Sequence, residues 1–141
     1  MNTRLKADVT RLSYGHPVSL GDNYIIVEQF QLPAGFDQRT IRVLIEIPDD
    51  YPLSPPGIGN HLIYVSSGIT IRGRRLRDVY SHVQPKSGQP GFSWFCYQRI
   101  DWDPRCDDLV TVIDLVRANL TTQLRDPAPA GLIEELKEIL S

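Results

Sequence analysis

Four prolines fall between Pro48 and Pro56, within the run Pro48-Asp49-Asp50-Tyr51-Pro52-Leu53-Ser54-Pro55-Pro56-Gly57. Each lacks an N–H and holds φ near about −65°, and each pushes the residue before it to extended geometry. The run can therefore enter neither a sheet ladder nor a helix interior. It keeps its shape without internal hydrogen bonds, as a stiff extended crossover, with the ring of Tyr51 placed to lie against the proline faces. A linker between two domains is the other reading, but only 47 residues precede the run, few for an independent core. It is read as a turn within one domain, 1–141.

The segments on either side carry regular patterns. Leu5, Val9 and Leu12 stand at helical spacing, so a short N-terminal helix is predicted, broken by Gly15, Pro17 and Gly21. Tyr24 to Phe30 is rich in β-branched and aromatic residues and reads as a strand. Ile41, Val43, Ile45 and Ile47 alternate with Thr40, Arg42, Leu44 and Glu46, the pattern of an antiparallel partner strand with one nearly aliphatic face. Leu62 to Val65 reads as a third strand and Ile69 to Ile71 as its short continuation. From Tyr80 to Phe92 the residues are loop-like, with Pro85, Gly88, Pro90 and Gly91. Leu109, Val112, Ile113, Val116 and Leu120 then share one helical face, with Asp107 or Asp108 as the N-cap. Asp126-Pro127-Ala128-Pro129 stops that helix, and Leu132, Ile133, Leu136, Ile139 and Leu140 mark a final amphipathic one. The order indicates an α+β fold, helices against an antiparallel meander.

Charge and cysteine usage narrow the function. A formal net charge of −2 argues against a protein that binds nucleic acid by neutralising phosphates. No run approaches the roughly 20 apolar residues that span a membrane, and no early segment resembles an export signal. Two cysteines, Cys96 and Cys106, in such a chain point to free thiols in the cytoplasm. His16, His61 and His82 are scattered, and no His/Cys pair has metal-ligand spacing, so neither metal nor cofactor is expected. Arg72, Arg74, Arg75 and Arg77 cluster around Gly73. A solvated face is the plain reading of such a run; a docking patch for an acidic partner is the sharper one.

The chemistry-bearing stretch is Phe92-Ser93-Trp94-Phe95-Cys96-Tyr97, followed by Trp102-Asp103-Pro104 and the central helix. Free cysteines are commonly buried and inert. Here one thiol follows an aromatic cluster and precedes a rigid W-x-P, so Cys96 is read as a nucleophile on a loop between the end of the sheet and the helix behind it. Trp102 would pack on Pro104 and the helix and steady that loop. Cys106, beside the helix start, could be activated by the macrodipole, with local packing the plainer reading.

Tyr51-Pro52-x-x-Pro55-Pro56, Cys96, Trp102-x-Pro104 and Asp126-Pro127-Ala128-Pro129, in that order, resemble the ubiquitin-conjugating enzyme (UBC-like) family. The nearest likeness is to divergent prokaryotic conjugating-enzyme-like families, which sit beside ubiquitin-like and activating-enzyme-like proteins. The resemblance covers residues 23–140, and implies a UBC-like α+β fold with the Asp-Pro-x-Pro element after the central helix. Two departures stand out. The family's His-Pro-Asn triplet, whose asparagine supports the loop and the oxyanion, is missing, since His82 is followed by Val83 and Gln84. The acidic residue usual after Asp-Pro-x-Pro is absent too, leaving Asp126 as the nearby carboxylate.

What the resemblance implies is a cysteine that takes a ubiquitin-like protein from an activating enzyme as a thioester and passes it to an acceptor protein. Thiol-to-thioester exchange is nearly balanced in energy, so access matters more than a deeply lowered pKa. The amine step needs oxyanion donors, worth about 10²–10³ in rate each; backbone amides near Cys96 and the side chains of Gln98, His82 or Ser93 are the candidates. Twelve arginines against three lysines would suit an enzyme that carries an amine-reactive thioester, although genomic base composition explains the bias as well. The alternative is a catalytically inactive UBC- or RWD-like binding module for a ubiquitin-like protein or another member of the conjugation complex. A cysteine hydrolase using His82 and Asp101 is a third option without a local signature.

Overall fold

A computed structural model describes residues 2–57, 61–96 and 101–125. Helix α1 (Thr3–Ser13) begins at Asn2, whose side chain accepts the Leu5 N–H at 2.7 Å and so satisfies one of the donors a helix start leaves open. Strand β1 (Val18–Gly21) occupies the stretch where Pro17 and Gly21 predicted only a break. Its residues pair in register with β2 (Tyr24–Gln31), from Val18 opposite Val27 to Gly21 opposite Tyr24. Asn23 closes the turn at φ 64°, a left-handed conformation that asparagine tolerates. Gly21 is required there because the Tyr24 ring fills the space a Cβ would take.

Strand β3 (Thr40–Glu46) pairs with β2 through a bulge between Val27 and Phe30. After the proline turn come β4 (Ile63–Ser66), the hairpin β5 (Thr70–Ile71) and β6 (Arg74–Arg75), then β7 (Val79–Tyr80) and β8 (Phe92–Phe95). Six strands form one antiparallel sheet in the order β1-β2-β3-β4-β8-β7, with β5 and β6 paired apart from it. Helix α2 (Leu109–Arg125) buries Leu109, Val112, Ile113, Val116 and Leu120, the predicted face. The aromatic stretch therefore opens as a strand, and the expected loop from Tyr80 to Phe92 is bracketed by strand residues at both ends. The expected C-terminal helix and the Asp126-Pro127-Ala128-Pro129 element lie outside the described residues.

Both faces of the sheet are covered. On one, Val27, Val43, Ile45, Val65 and Phe95 pack with Leu12 of α1 and the buried face of α2. On the other, Ile26, Leu44, Tyr64 and Phe92 form a second cluster with Trp94 and Val83 against it. This explains why β3 departs from strict alternation: Leu44 and Glu46 sit on the second face and are buried there too.

The proline turn is anchored differently from the sequence expectation. Tyr51 points into the protein, 2% exposed. Its ring meets Trp102 at 6.1 Å between centroids, and its hydroxyl donates to Asp8 of α1 at 2.6 Å. Trp102 in turn donates from Nε1 to the Pro52 carbonyl at 2.7 Å. The two aromatic residues thus tie the turn to the segment ahead of α2, which is possible only because a tertiary contact brings residues 50 apart in sequence together. Among the described residues, no helix is long and apolar enough to cross a membrane.

Candidate functional site

Cys96 stands immediately after β8. The ladder to β7 places Tyr80 opposite Trp94 and Val79 opposite Phe95, and the Cys96 N–H continues it by donating to the Asp78 carbonyl at 2.8 Å. Alternation along an extended chain puts Ser93 and Phe95 on the helix side and Phe92, Trp94 and Cys96 on the other. Phe95 is buried in the main core, whereas Cys96 is half-buried and a free thiol. The backbone at the cysteine is thus pinned on one side while its side chain stands at the margin of the core.

The predicted neighbours do not converge on it equally. His82 is exposed and packs edge-on against Tyr80 at 5.7 Å, and Tyr80 leans on Trp94 at 5.4 Å; no hydrogen bond joins His82 to Cys96. The Ser93 hydroxyl is occupied, 2.8 Å from that of Ser67. Gln98 and Asp126 lie outside the described residues. Tyr80 went unnoticed in the sequence because a strand of two residues leaves too short a pattern to read; the apolar doublet Val79-Tyr80 was its only signal.

Ahead of α2, the chain is held from α1. Asp8 is 2% exposed. It accepts from Arg4 Nε at 2.9 Å as well as from Tyr51. Arg4 also donates to the carbonyls of Pro104, at 2.6 Å, and Asp107. Burial, then the adjoining Asp8 carboxylate, push the Tyr51 phenol well above its usual range. Asp108 proves to be the N-cap of α2, accepting the Thr111 N–H at 3.1 Å while its own N–H donates to the Thr111 hydroxyl. Asp107 instead accepts from the Asp103 N–H at 2.7 Å.

Cys106, read as activated by the helix start or as a local packing residue, is exposed. Its thiol faces the Asp103 carboxylate at 3.5 Å, and that hydrogen bond and charge raise its pKa. A nearby carboxylate outweighs whatever the helix start contributes, because it opposes formation of a second negative charge.

Two clefts, of about 670 and 290 Å³, lie around Asp22, Asn23, Tyr24 and Asp49, and neither is lined by Cys96. Among the described residues, no group of three or more His, Cys, Asp and Glu side chains is placed to hold a metal ion.

Residues 6–123 match the sequence profile of a family described as prokaryotic E2 family E. No curated protein and no solved structure matches the chain.

Proposed function

The chain belongs to prokaryotic E2 family E, a conjugation-related family of UBC-like α+β fold, and on that premise we propose that Cys96 accepts a ubiquitin-like protein from an activating enzyme and passes it to an acceptor. The observation that carries this reading is the position of Cys96: immediately after β8, half-exposed, with its N–H fixed on Asp78. The thiolate attacks the carbonyl of the incoming thioester, a C–S bond to Cys96 forms, and the bond to the activating enzyme's cysteine breaks. That sulfur leaves as a thiolate and takes up a proton. The proton lost by Cys96 goes to solvent.

The Cys96 N–H is engaged with Asp78, so the oxyanion must be met by other donors. We assign assisting roles to His82, whose exposed ring shares a face with the thiol through Tyr80 and Trp94, and to Gln98. Asp126 is assigned to the acceptor side, where a carboxylate would draw the proton from an attacking amine. The protein works as one domain in the cytoplasm and needs no cofactor. One observation favours the second reading, a catalytically silent binding module: the His-Pro-Asn triplet is absent and His82 is turned to Tyr80.

Incubation with the activating enzyme, the ubiquitin-like protein and ATP separates the two. A thiol-sensitive adduct that is lost in Cys96→Ala and kept in Cys106→Ala is the expected result. Retained binding without any adduct would establish the silent module instead.

A further inference from the structure

The β5–β6 hairpin is built around a two-residue turn, Arg72-Gly73, with φ of 53° and 77°. Both central residues are left-handed, the geometry of a type I′ turn, whose first position favours Asn, Asp or Gly over a long side chain. An arginine is held there nonetheless. The turn is gripped from outside the hairpin by Asp37. Its carboxylate accepts the Arg72 N–H at 3.1 Å, the Gly73 N–H at 2.8 Å and the Thr70 hydroxyl at 2.5 Å. Those bonds hold the Asp37 carboxyl below its usual range, the Thr70 hydroxyl foremost.

Both ends of the hairpin are anchored as well. Ile69 and Leu76 are buried in the main core, and the Gln123 amide of α2 accepts the Arg77 N–H and donates to the Arg77 carbonyl at 3.0 Å. Arg72, Arg74 and Arg75 are exposed on this fixed support. A guanidinium whose backbone is already ordered loses less entropy on pairing. The Asp37 carboxylate is already occupied by three donors.

We propose that this hairpin is a docking surface for an acidic segment of a partner protein, with Arg72 and Arg75 as the paired heads. Arginine forks match carboxylates in a bidentate way. A nucleic acid fits less well. Residues 69–78 contain no aromatic side chain on which a base could stack, and a handful of phosphate contacts on a chain of net charge −2 supplies little affinity. Arg75 lies three residues before Asp78, the partner of Cys96, at most about 10 Å along an extended chain. A protein held at the hairpin is therefore held near the backbone to which the Cys96 N–H is bonded. The docking itself does not depend on whether Cys96 forms a thioester.

The test uses the full chain with a short fluorescent Glu-rich peptide, the same peptide with Gln for Glu, and a deoxythymidine oligonucleotide of equal length. The Glu peptide is expected to bind, with amide NMR shifts centred on residues 70–77. The double variant Arg72→Asn, Arg75→Gln should weaken that binding roughly fivefold, as two exposed ion pairs would. Asn suits the left-handed turn, so the variant should keep its melting temperature. Arg72→Lys with Arg75→Lys should weaken binding by less than the Asn/Gln pair, because the charge stays while the bidentate fork is lost. The proposal is overturned by failure of the Glu peptide to bind, by equal binding of the Gln peptide, by affinity unchanged in the double variant, or by tighter binding of the oligonucleotide.

Discussion

The two faces of the sheet each bury a carboxylate, and they satisfy it by different means. On the helix side, Asp8 is met by side chains, the Arg4 guanidinium and the Tyr51 hydroxyl. On the other side Glu46, 4% exposed, is met by backbone, accepting the Leu62 N–H at 3.0 Å and the Lys86 N–H at 2.9 Å. The first arrangement joins α1, the proline turn and the segment before α2 through charge and hydrogen bonds together. The second clamps two chain segments through backbone alone, and burial first, then the Glu46 charge, push the Tyr64 phenol up to about 12.

The largest expected difference lies in packing. Ile113→Ala, on the helix side and fully buried, should cost about 4 kcal/mol in urea unfolding, because two helices and a sheet cannot close on the void. Leu44→Ala on the other side should cost about 2–3 kcal/mol, since the loop over it can settle inward. Equal losses would show that the loop packs as rigidly as a helix.

Next come the carboxylates. Asp8→Asn should cost about 3 kcal/mol, the low end for a broken buried pair because Arg4 is 32% exposed. Glu46→Gln keeps one acceptor and should cost about 1–2 kcal/mol. The ranking, read by chemical denaturation of both variants, is what matters; its reversal would mean that the backbone clamp holds more than the ion pair.

The smallest effect is in pH. His16 stacks on Phe30 at 6.4 Å between centroids, with Arg117 over the same ring at 4.7 Å. Burial first, and Arg117 second, lower its pKa, against an opposing pull from Asp114. The unfolded chain therefore takes up this proton more readily than the folded one. The stability concerned is fully present above about pH 6.5–7 and is lost as the pH falls toward the lowered folded value. His16→Gln should flatten melting temperature against pH between about 5 and 7, and a slope unchanged in that variant would assign it to other groups.

Much of the fold is legible locally. The helical spacing from Leu109 to Leu120, the alternation from Ile41 to Ile47 and the prolines after it each dictate a conformation from neighbouring residues alone. Two of the short strands were not legible: β1 hides between Pro17 and Gly21, and β7 holds two residues whose conformation is set by pairing with β8. At the site, the position of Cys96 after an aromatic run was legible, but its bond to Asp78 was not. The same holds for Cys106, where helix-start reasoning omitted a carboxylate three residues away.

The amino-acid order by itself determined the α+β class, the face that α2 buries, the stiff turn and the thiol that ends the aromatic stretch, because each depends on spacing within a few residues. Only the tertiary structure decided that Tyr51 and Trp102 face each other, that Asp8 and Glu46 are buried with partners, and that Asp37 and Gln123 hold the arginine hairpin. Those arrangements depend on contacts between distant segments, and their stability comes from burial and pairing that exist only once the sheet and helices have come together.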